Sequence, residues 1–316
     1  MLLEDISKKL YQALEESCDS CESKLIALSG GLDSSILAHF LKKRKPNSIA
    51  IISDDFVSTD LTYCQTISKE TNIPLTIYNV TTSSILEAVE NTIKILKNFN
   101  DIEIRNNVVM YLALKWAKDN NEKSIITGDG ADELFAGYNF LVNKPENELE
   151  SEIKRVCSVM HFPTQEIGKV LGIKIESPFL NKKIIQIANE IPSNLKVKEE
   201  KNIRYGKWIL RKTFENHIPM QIAWRKKSPM QEGAGTVGLT DLFESIINEE
   251  TYVEKKLLVE KNDQVVIRSR ESMYYYEIFK KLYGTPVQDE VEKKCPYCKH
   301  EVNNSKFCRM CGAFPI

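Results

Sequence analysis

The stretch that most constrains this chain is Leu25-Ile-Ala-Leu-Ser-Gly-Gly-Leu-Asp-Ser-Ser-Ile-Leu37. An apolar run stops at Ser29-Gly30-Gly31 and a second begins at once, so a buried strand is predicted to turn directly into a helix. The alternation recurs. Strands are predicted at Lys24–Leu28, Ser48–Ser53, Leu75–Tyr78 and Ser124–Thr127, with helices at Leu32–Lys43, near 60–71, at Ser83–Lys97 and over about 106–119. Ile6, Leu10, Ala13 and Leu14 mark an amphipathic helix before them. Strands alternating with helices imply an α/β fold, a parallel sheet with helices on both faces. From about 140 the pattern is mostly helical, with Asn181–Glu190, Tyr205–Glu215, Thr240–Asn248 and Ser269–Leu282 as the clearest segments. This half is expected to pack against the sheet and close its crevice.

Ligands of open parallel sheets bind outside the carboxyl ends of the strands. Ser29-Gly30-Gly31 and Gly128-Asp129-Gly130 both fall at such ends. A Gly-Gly turn lets backbone N–H groups approach an anion, and the helix that follows favours negative charge at its start. Ser29, Ser34 and Ser35 add hydroxyls. Asp33 would repel a phosphate unless a cation lies between them, so it is read as a Mg²⁺ ligand. A plain strand–helix connection capped by serine is the competing reading, and the added Asp and paired Ser weigh against it. At the second turn Asp129, Asp132 and Glu133 crowd within five residues. Such crowding is costly without a cation, unless the acids merely cap a helix starting at Ala131.

Composition bounds the partners. Lys+Arg 43 against Asp+Glu 44 leaves a net charge of −1, which gives no global field for duplex nucleic acid. No apolar run approaches the ~18 residues of a membrane helix, and the charged N-terminus is no signal peptide. A cytoplasmic location is expected. Four of the eight cysteines form Cys295-Pro-Tyr-Cys298 and Cys308-Arg-Met-Cys311. Two Cys-x-x-Cys knuckles supply four thiolates, which suits structural Zn²⁺ in a small ribbon. His300, between the knuckles, needs no ligand role. Cys18 and Cys21 are read as incidental thiols, and Cys64 and Cys157 as core residues. The chain therefore divides into residues 1–286, a charged linker 287–294 and a four-cysteine zinc ribbon 295–316.

Ser-Gly-Gly-Leu-Asp-Ser resembles the pyrophosphatase loop of enzymes that split ATP between its α and β phosphates. Ser124-Ile-Ile-Thr-Gly-Asp-Gly-Ala-Asp-Glu-Leu-Phe-Ala-Gly-Tyr138 resembles the signature of the asparagine synthetase family, in its synthetase domain. The likeness extends through Glu103-Ile-Arg-Asn-Asn-Val-Val-Met-Tyr-Leu, Glu176-Ser-Pro-Phe-Leu-Asn-Lys-Lys, Ile209-Leu-Arg-Lys-Thr-Phe, Ala223-Trp-Arg-Lys-Lys-Ser, Gly233-Ala-Gly235 and Tyr276-Glu-Ile-Phe-Lys-Lys-Leu. It implies an adenine nucleotide α-hydrolase-like fold. It further implies that Asp33 and Asp132 hold Mg²⁺, that Ser29, Gly30, Gly31 and Ser34 wrap the pyrophosphate, and that Leu28, Ser53, Thr127 and Gly128 contact adenosine. Lys227 would meet charge developing at the α-phosphate, Arg105 would clamp the acyl substrate's carboxylate, and Asp129 and Glu133 complete the implied catalytic set. Two departures bear on the acyl substrate: Asp129 stands where the family usually has Glu, and Asn106-Asn-Val108 replaces small hydroxyl residues.

The glutaminase domain that usually precedes this one, with its Cys after the initiator Met, is not expected, because residue 2 is Leu and the synthetase motifs start almost at once. The expected reaction uses ATP to make an acyl-AMP from a carboxylate, aspartate being the natural candidate, and ammonia or another amine then displaces AMP. A separate glutaminase, or a macromolecule docked through the ribbon, are the partners considered. Two rival readings stand: a tRNA-thiolating pyrophosphatase, which needs a catalytic cysteine, and a zinc-ribbon adaptor with a relict ATP site.

Overall fold

A computed structural model describes residues 3–56, 58–226, 233–235, 238–287, 292–302 and 306–316. The chain splits into two compact units, each discontinuous in sequence. The first comprises Met1–Ile52, Thr59–Tyr78 and Ala113–Pro229; the second comprises Ser53–Ser58, Asn79–Leu112 and Met230–Ile316.

The first unit is built on the expected sheet. α1 (Leu3–Asp19) leads to β1 (Leu25–Ala27), α2 (Leu32–Leu41), β2 (Asn47–Ser53), α3 (Leu61–Thr71) and β3 (Leu75–Val80); the ends of β2 and β3 pass into the second unit. α4 (Thr82–Leu96) and α5 (Asp101–Asp119) follow, then β4 (Ser124–Ile126), the single turn α6 (Ala131–Leu134) and, later, β5 (Lys174–Glu176). The five strands lie in the order β3-β2-β1-β4-β5, and β1 pairs in parallel with both β2 and β4. Successive connections leave β1 in opposite directions. The gap beyond the ends of β1 and β4 is therefore the topological switch point, where such sheets bind ligands.

The apolar spacing of α1 does what its sequence requires. Ile6, Leu10, Ala13 and Leu14 are all buried, in one core with Ile26, Ile36, Leu37, Ile126, Phe135, Phe179 and Phe214. Each Leu, Ile or Phe side chain among them contributes about 1.5–3 kcal/mol on burial, and Ala13 less.

Three features depart from the sequence reading. β5 was hidden in a region expected to be helical, since three residues carry too little pattern. Ile203–Tyr205 pairs antiparallel with Lys198–Glu200, so the following helix starts at Trp208 rather than Tyr205. Lys201 and Asn202 both take positive φ (51° and 63°), the conformation a two-residue hairpin turn requires. α5 begins at Asp101, five residues earlier than expected, with Asn100 Oδ1 accepting from Glu103 N at 3.3 Å.

The second unit packs Phe99 edge-on against Tyr276 (5.1 Å between centroids), beside Phe279 (5.3 Å). The helix Arg270–Tyr283 opens on a capping box between Ser269 and Ser272. The cysteine segment belongs to this unit. Phe99 N donates to Met310 O (2.9 Å), Val266 N to Tyr297 O (2.7 Å) and Arg268 Nη2 to Cys311 O (2.6 Å). Among the described residues, no helix is long and apolar enough to cross a membrane.

Candidate functional site

The first turn leaves β1 through Leu28, which is 1% exposed, and Ser29. Gly30 has φ +65°, and a Cβ there would lie 2.6 Å from the backbone of Tyr63 and Cys64, so glycine is required on both counts. Ser29 and Ser34 face each other across the turn, their hydroxyls 3.2 Å apart, and Gly31 N donates to Ser29 Oγ at 3.3 Å. Gly31 caps α2 with no side chain satisfying the exposed amides, which leaves donors for an anion.

The second turn leaves β4 through Thr127, Gly128 and Asp129. A Cβ on Gly128 would lie 3.1 Å from Asp33 Cβ, so the two turns meet in the first unit. Asp33 and Asp132 do converge on one cation position, and the cation there is an ammonium. Lys207 Nζ lies 2.6 Å from Asp33 Oδ2 and 2.6 Å from Asp132 Oδ1, with its side chain 4% exposed. Both carboxylates hold its proton more firmly than usual, against the opposing effect of burial. Gly137 closes the cluster: any Cβ there would overlap Asp132 Oδ1 and Lys207 Cε.

Lys207 was not anticipated from sequence. It starts the helix Trp208–Phe214, where the helix dipole disfavours a cation, and it holds a left-handed φ of +55° that a lysine rarely adopts. A lysine placed before an apolar helix was the available signal.

The remaining acids are used differently. Thr127 Oγ1 donates to Asp129 Oδ2 at 3.0 Å and lies 3.0 Å from Ser177 Oγ. Desolvation, helped by the charge of Glu133, pushes the Asp129 carboxyl up to about 6. Glu133 is buried and accepts from the Tyr138 hydroxyl; desolvation raises its carboxyl too. Asp129 favours protonation in the folded chain, so its contribution to stability is complete below the unfolded value of about 3.9 and is lost as pH rises through about 6. In the nucleotide-free protein, Asp129→Asn is expected to be more stable than wild type at pH 7.5, by on the order of 1–2 kcal/mol, and closely similar at pH 4. Urea midpoints at the two pH values check this, and an equal difference at both would refute it.

Lys227 lies outside the described residues. The segment leading to it is firmly held within the first unit. Arg211 Nη1 donates to Ala223 O (2.7 Å) and Arg225 O (2.9 Å), while Arg225 Nη2 reaches Asp60 Oδ1 (2.9 Å) and its guanidinium covers the Tyr63 ring.

Two expected residues fall in the second unit. Ser53 Oγ accepts from Asp55 N (3.3 Å) and Phe56 N (3.2 Å), ending β2 in a turn. Arg105 Nε lies 3.0 Å from Glu271 Oε1, its Nη1 donates to Thr240 Oγ1 (3.2 Å), and Tyr275 donates to the same glutamate (2.7 Å). Arg105 thus already neutralises a carboxylate of its own chain. Arg105→Met is expected to cost about 3 kcal/mol, because Glu271 would stay buried without its counter-ion. Adding Glu271→Gln should recover much of that loss in thermal melts; no recovery would refute the pairing's importance.

The four ribbon cysteines lie within 4.8 Å of one another and are all buried. Cys295 and Cys311 sulfurs are 3.7 Å apart and those of Cys298 and Cys308 3.6 Å. A tetrahedron with Zn–S of ~2.3 Å has edges of about 3.8 Å, so the sulfurs fit such an ion. Lys299 (φ 59°) and Gly312 (φ 74°) each follow the second cysteine of a knuckle in the same left-handed conformation. His300 is not part of the cluster. Elsewhere, burial pushes the Cys21 thiol up to about 11 and raises Cys18 and Cys64 as well.

A five-stranded parallel sheet with a Gly-Gly turn and an acid cluster at its switch point defines an α/β protein that binds ligands beyond its strand ends. Comparison with known proteins narrows this. A family model described as asparagine synthase matches residues 5–156 and 165–301. Asparagine synthetase B (glutamine-hydrolyzing) of Escherichia coli (strain K12) is 27% identical over 304 residues, covering 88% of this chain and 54% of that protein. A probable asparagine synthetase (glutamine-hydrolyzing) of Dictyostelium discoideum is 25% identical over 309 residues, covering 86% and 54%. The Zea mays asparagine synthetase (glutamine-hydrolyzing) is 24% identical over 294 residues, covering 86% and 49%. The chain belongs to the asparagine synthase family. It spans about half the length of the curated relatives it matches.

Proposed function

We propose that this chain is an ATP-dependent amide ligase. It activates a carboxylate, for which the β-carboxylate of aspartate is the first candidate, as an acyl-AMP with release of pyrophosphate. Ammonia, free or delivered by a glutaminase, or another amine then displaces AMP. The observation that carries this reading is the meeting of Asp33 and Asp132 at one cation position beside a glycine turn whose amides are open to an anion.

The donor set fits Mg²⁺. It is all oxygen, and Asp33 Oδ1 is buried with no hydrogen-bond partner among the described residues, a lone pair in want of a cation. Mg²⁺, when bound, would neutralise phosphate charge. The chain's own residues do the rest: Ser29, Gly30, Gly31 and Ser34 hold the pyrophosphate, and Leu28, Ser53, Thr127 and Gly128 hold adenosine. Lys227 stabilises charge at the α-phosphate more in the transition state than in the ground state. Asp129 and Glu133 complete the proposed catalytic set, and Arg105 is the proposed partner of a substrate carboxylate. Zn²⁺ in the cysteine cluster is structural, because four protein thiolates leave no open position. A cytoplasmic setting suits these free thiols.

ATP–pyrophosphate exchange across a panel of carboxylates tests the reading. Exchange that needs a particular carboxylate, followed by amide and AMP when ammonia is added, is the expected result. Exchange with no carboxylate in the panel would defeat the ligase; exchange with others but not aspartate would defeat only that substrate. The thiolation alternative is less well supported, because burial raises the thiols of Cys18, Cys21, Cys64 and Cys157 and disfavours their thiolates.

A further inference from the structure

The acid pair at the switch point is filled by the chain itself. Lys207 sits there against two local preferences, a left-handed backbone that costs a non-glycine residue about 1–2 kcal/mol and a position at the start of a helix. Its amide is fixed by Phe135 O at 3.0 Å, and Gly137 leaves room for its side chain and no more. What it gains is charge balance, since two carboxylates drawn together from two strand ends repel unless a cation separates them. Mg²⁺ would draw on the same pair of carboxylates, at ~2.0–2.1 Å. An ammonium 2.6 Å from Asp33 Oδ2 and 2.6 Å from Asp132 Oδ1 stands between them, and a second positive charge there would be repelled.

We propose that Lys207 is the resident counter-cation of the Asp33–Asp132 pair and occupies the divalent-ion position until a nucleotide arrives. Two carboxylates balance the lysine and part of one divalent ion, but not both cations together. A triphosphate brings the missing negative charge, so metal and displaced ammonium are accommodated at once. Metal therefore enters only with nucleotide. This rests on the nucleotide reading above, and it adds an order of binding and a residue that enforces it.

Mn²⁺ binding, followed by electron paramagnetic resonance on the zinc-loaded full chain without nucleotide, tests this apart from any activity. Nucleotide-free wild type is expected to bind Mn²⁺ at least tenfold more weakly than Lys207→Met. The gain should vanish in Lys207→Met combined with Asp33→Asn. Equal Mn²⁺ affinity in wild type and a folded Lys207→Met would overturn the proposal. Should Lys207→Met not fold, wild type decides: stoichiometric Mn²⁺ binding without nucleotide, abolished by Asp33→Asn, overturns it, whereas binding that appears only with a non-hydrolysable ATP analogue supports it. If Lys207→Met gains Mn²⁺ while no protein responds to the analogue, the counter-cation role stands and the nucleotide reading fails.

Discussion

Gly137→Ala is expected to be severely destabilising. The backbone there does not require glycine, since Gly137 is not among the positive-φ glycines. The obstacle is space: the added carbon would overlap both Asp132 Oδ1 and Lys207 Cε, neither of which can retreat without breaking the ion pairs. Separating a buried lysine from its carboxylates costs about 3–5 kcal/mol, and the steric strain adds about 1–3 kcal/mol. Thermal unfolding should fall by more than ten degrees, on the order of 2–4 °C per kcal/mol for a body of this size. Gly172→Ala is the control. It has φ +75° but nothing within 4 Å of the new carbon, so only the backbone penalty of about 1–2 kcal/mol applies. Equal losses for the two variants would show that the cluster is not packed as described.

Removal of metal from the cysteine cluster is expected to destabilise the second unit. With zinc as the ion, the protein should carry one equivalent per chain by atomic emission. Its loss frees 295–316 and leaves Phe99 N, Val266 N and Arg268 without their partners Met310 O, Tyr297 O and Cys311 O. At roughly 1 kcal/mol per hydrogen bond the cost is about 3 kcal/mol, or a fall on the order of 10 °C. Asn100, which precedes α5, lies beside the same segment, since a Cβ on Gly312 would lie 2.6 Å from Asn100 Oδ1. Amide exchange at Phe99 and at the start of α5 should therefore quicken when a strong chelator is added or Cys298 is changed to Ser. An unchanged melting temperature and unchanged exchange would mean the cluster holds no structural ion.

The sheet and both turns were legible because each is a local signal. β1 and β4 are apolar runs ending in glycine, and the knuckles are a spacing. β5 and the 198–205 hairpin were not legible. A three-residue strand has no period, and a Lys-Asn turn lacks the glycine that usually marks a hairpin. Asp33 and Asp132 could be read as partners only through family resemblance, since 99 residues separate them, and their shared lysine is a further 75 residues on. Convergence of that kind is set by packing of the sheet and the helix Trp208–Phe214, which no window of sequence contains. Arg105 was singled out only through the family resemblance, and its ion pair with the distant Glu271 had no sequence signal.

The second unit is stitched from residues 53–58, 79–112 and 230–316, and this has a consequence for biogenesis. A ribosome adds ~5–20 residues per second, so roughly 200 residues separate the birth of the α5 segment from that of the knuckles, a delay of about 10–40 s. Throughout that interval Phe99, 1% exposed in the finished protein, waits without Tyr276 and Phe279, the rings that pack against it. The nascent chain thus presents an uncovered aromatic segment until its tail arrives. Chains cut short before 230 are expected to aggregate more readily than the full chain.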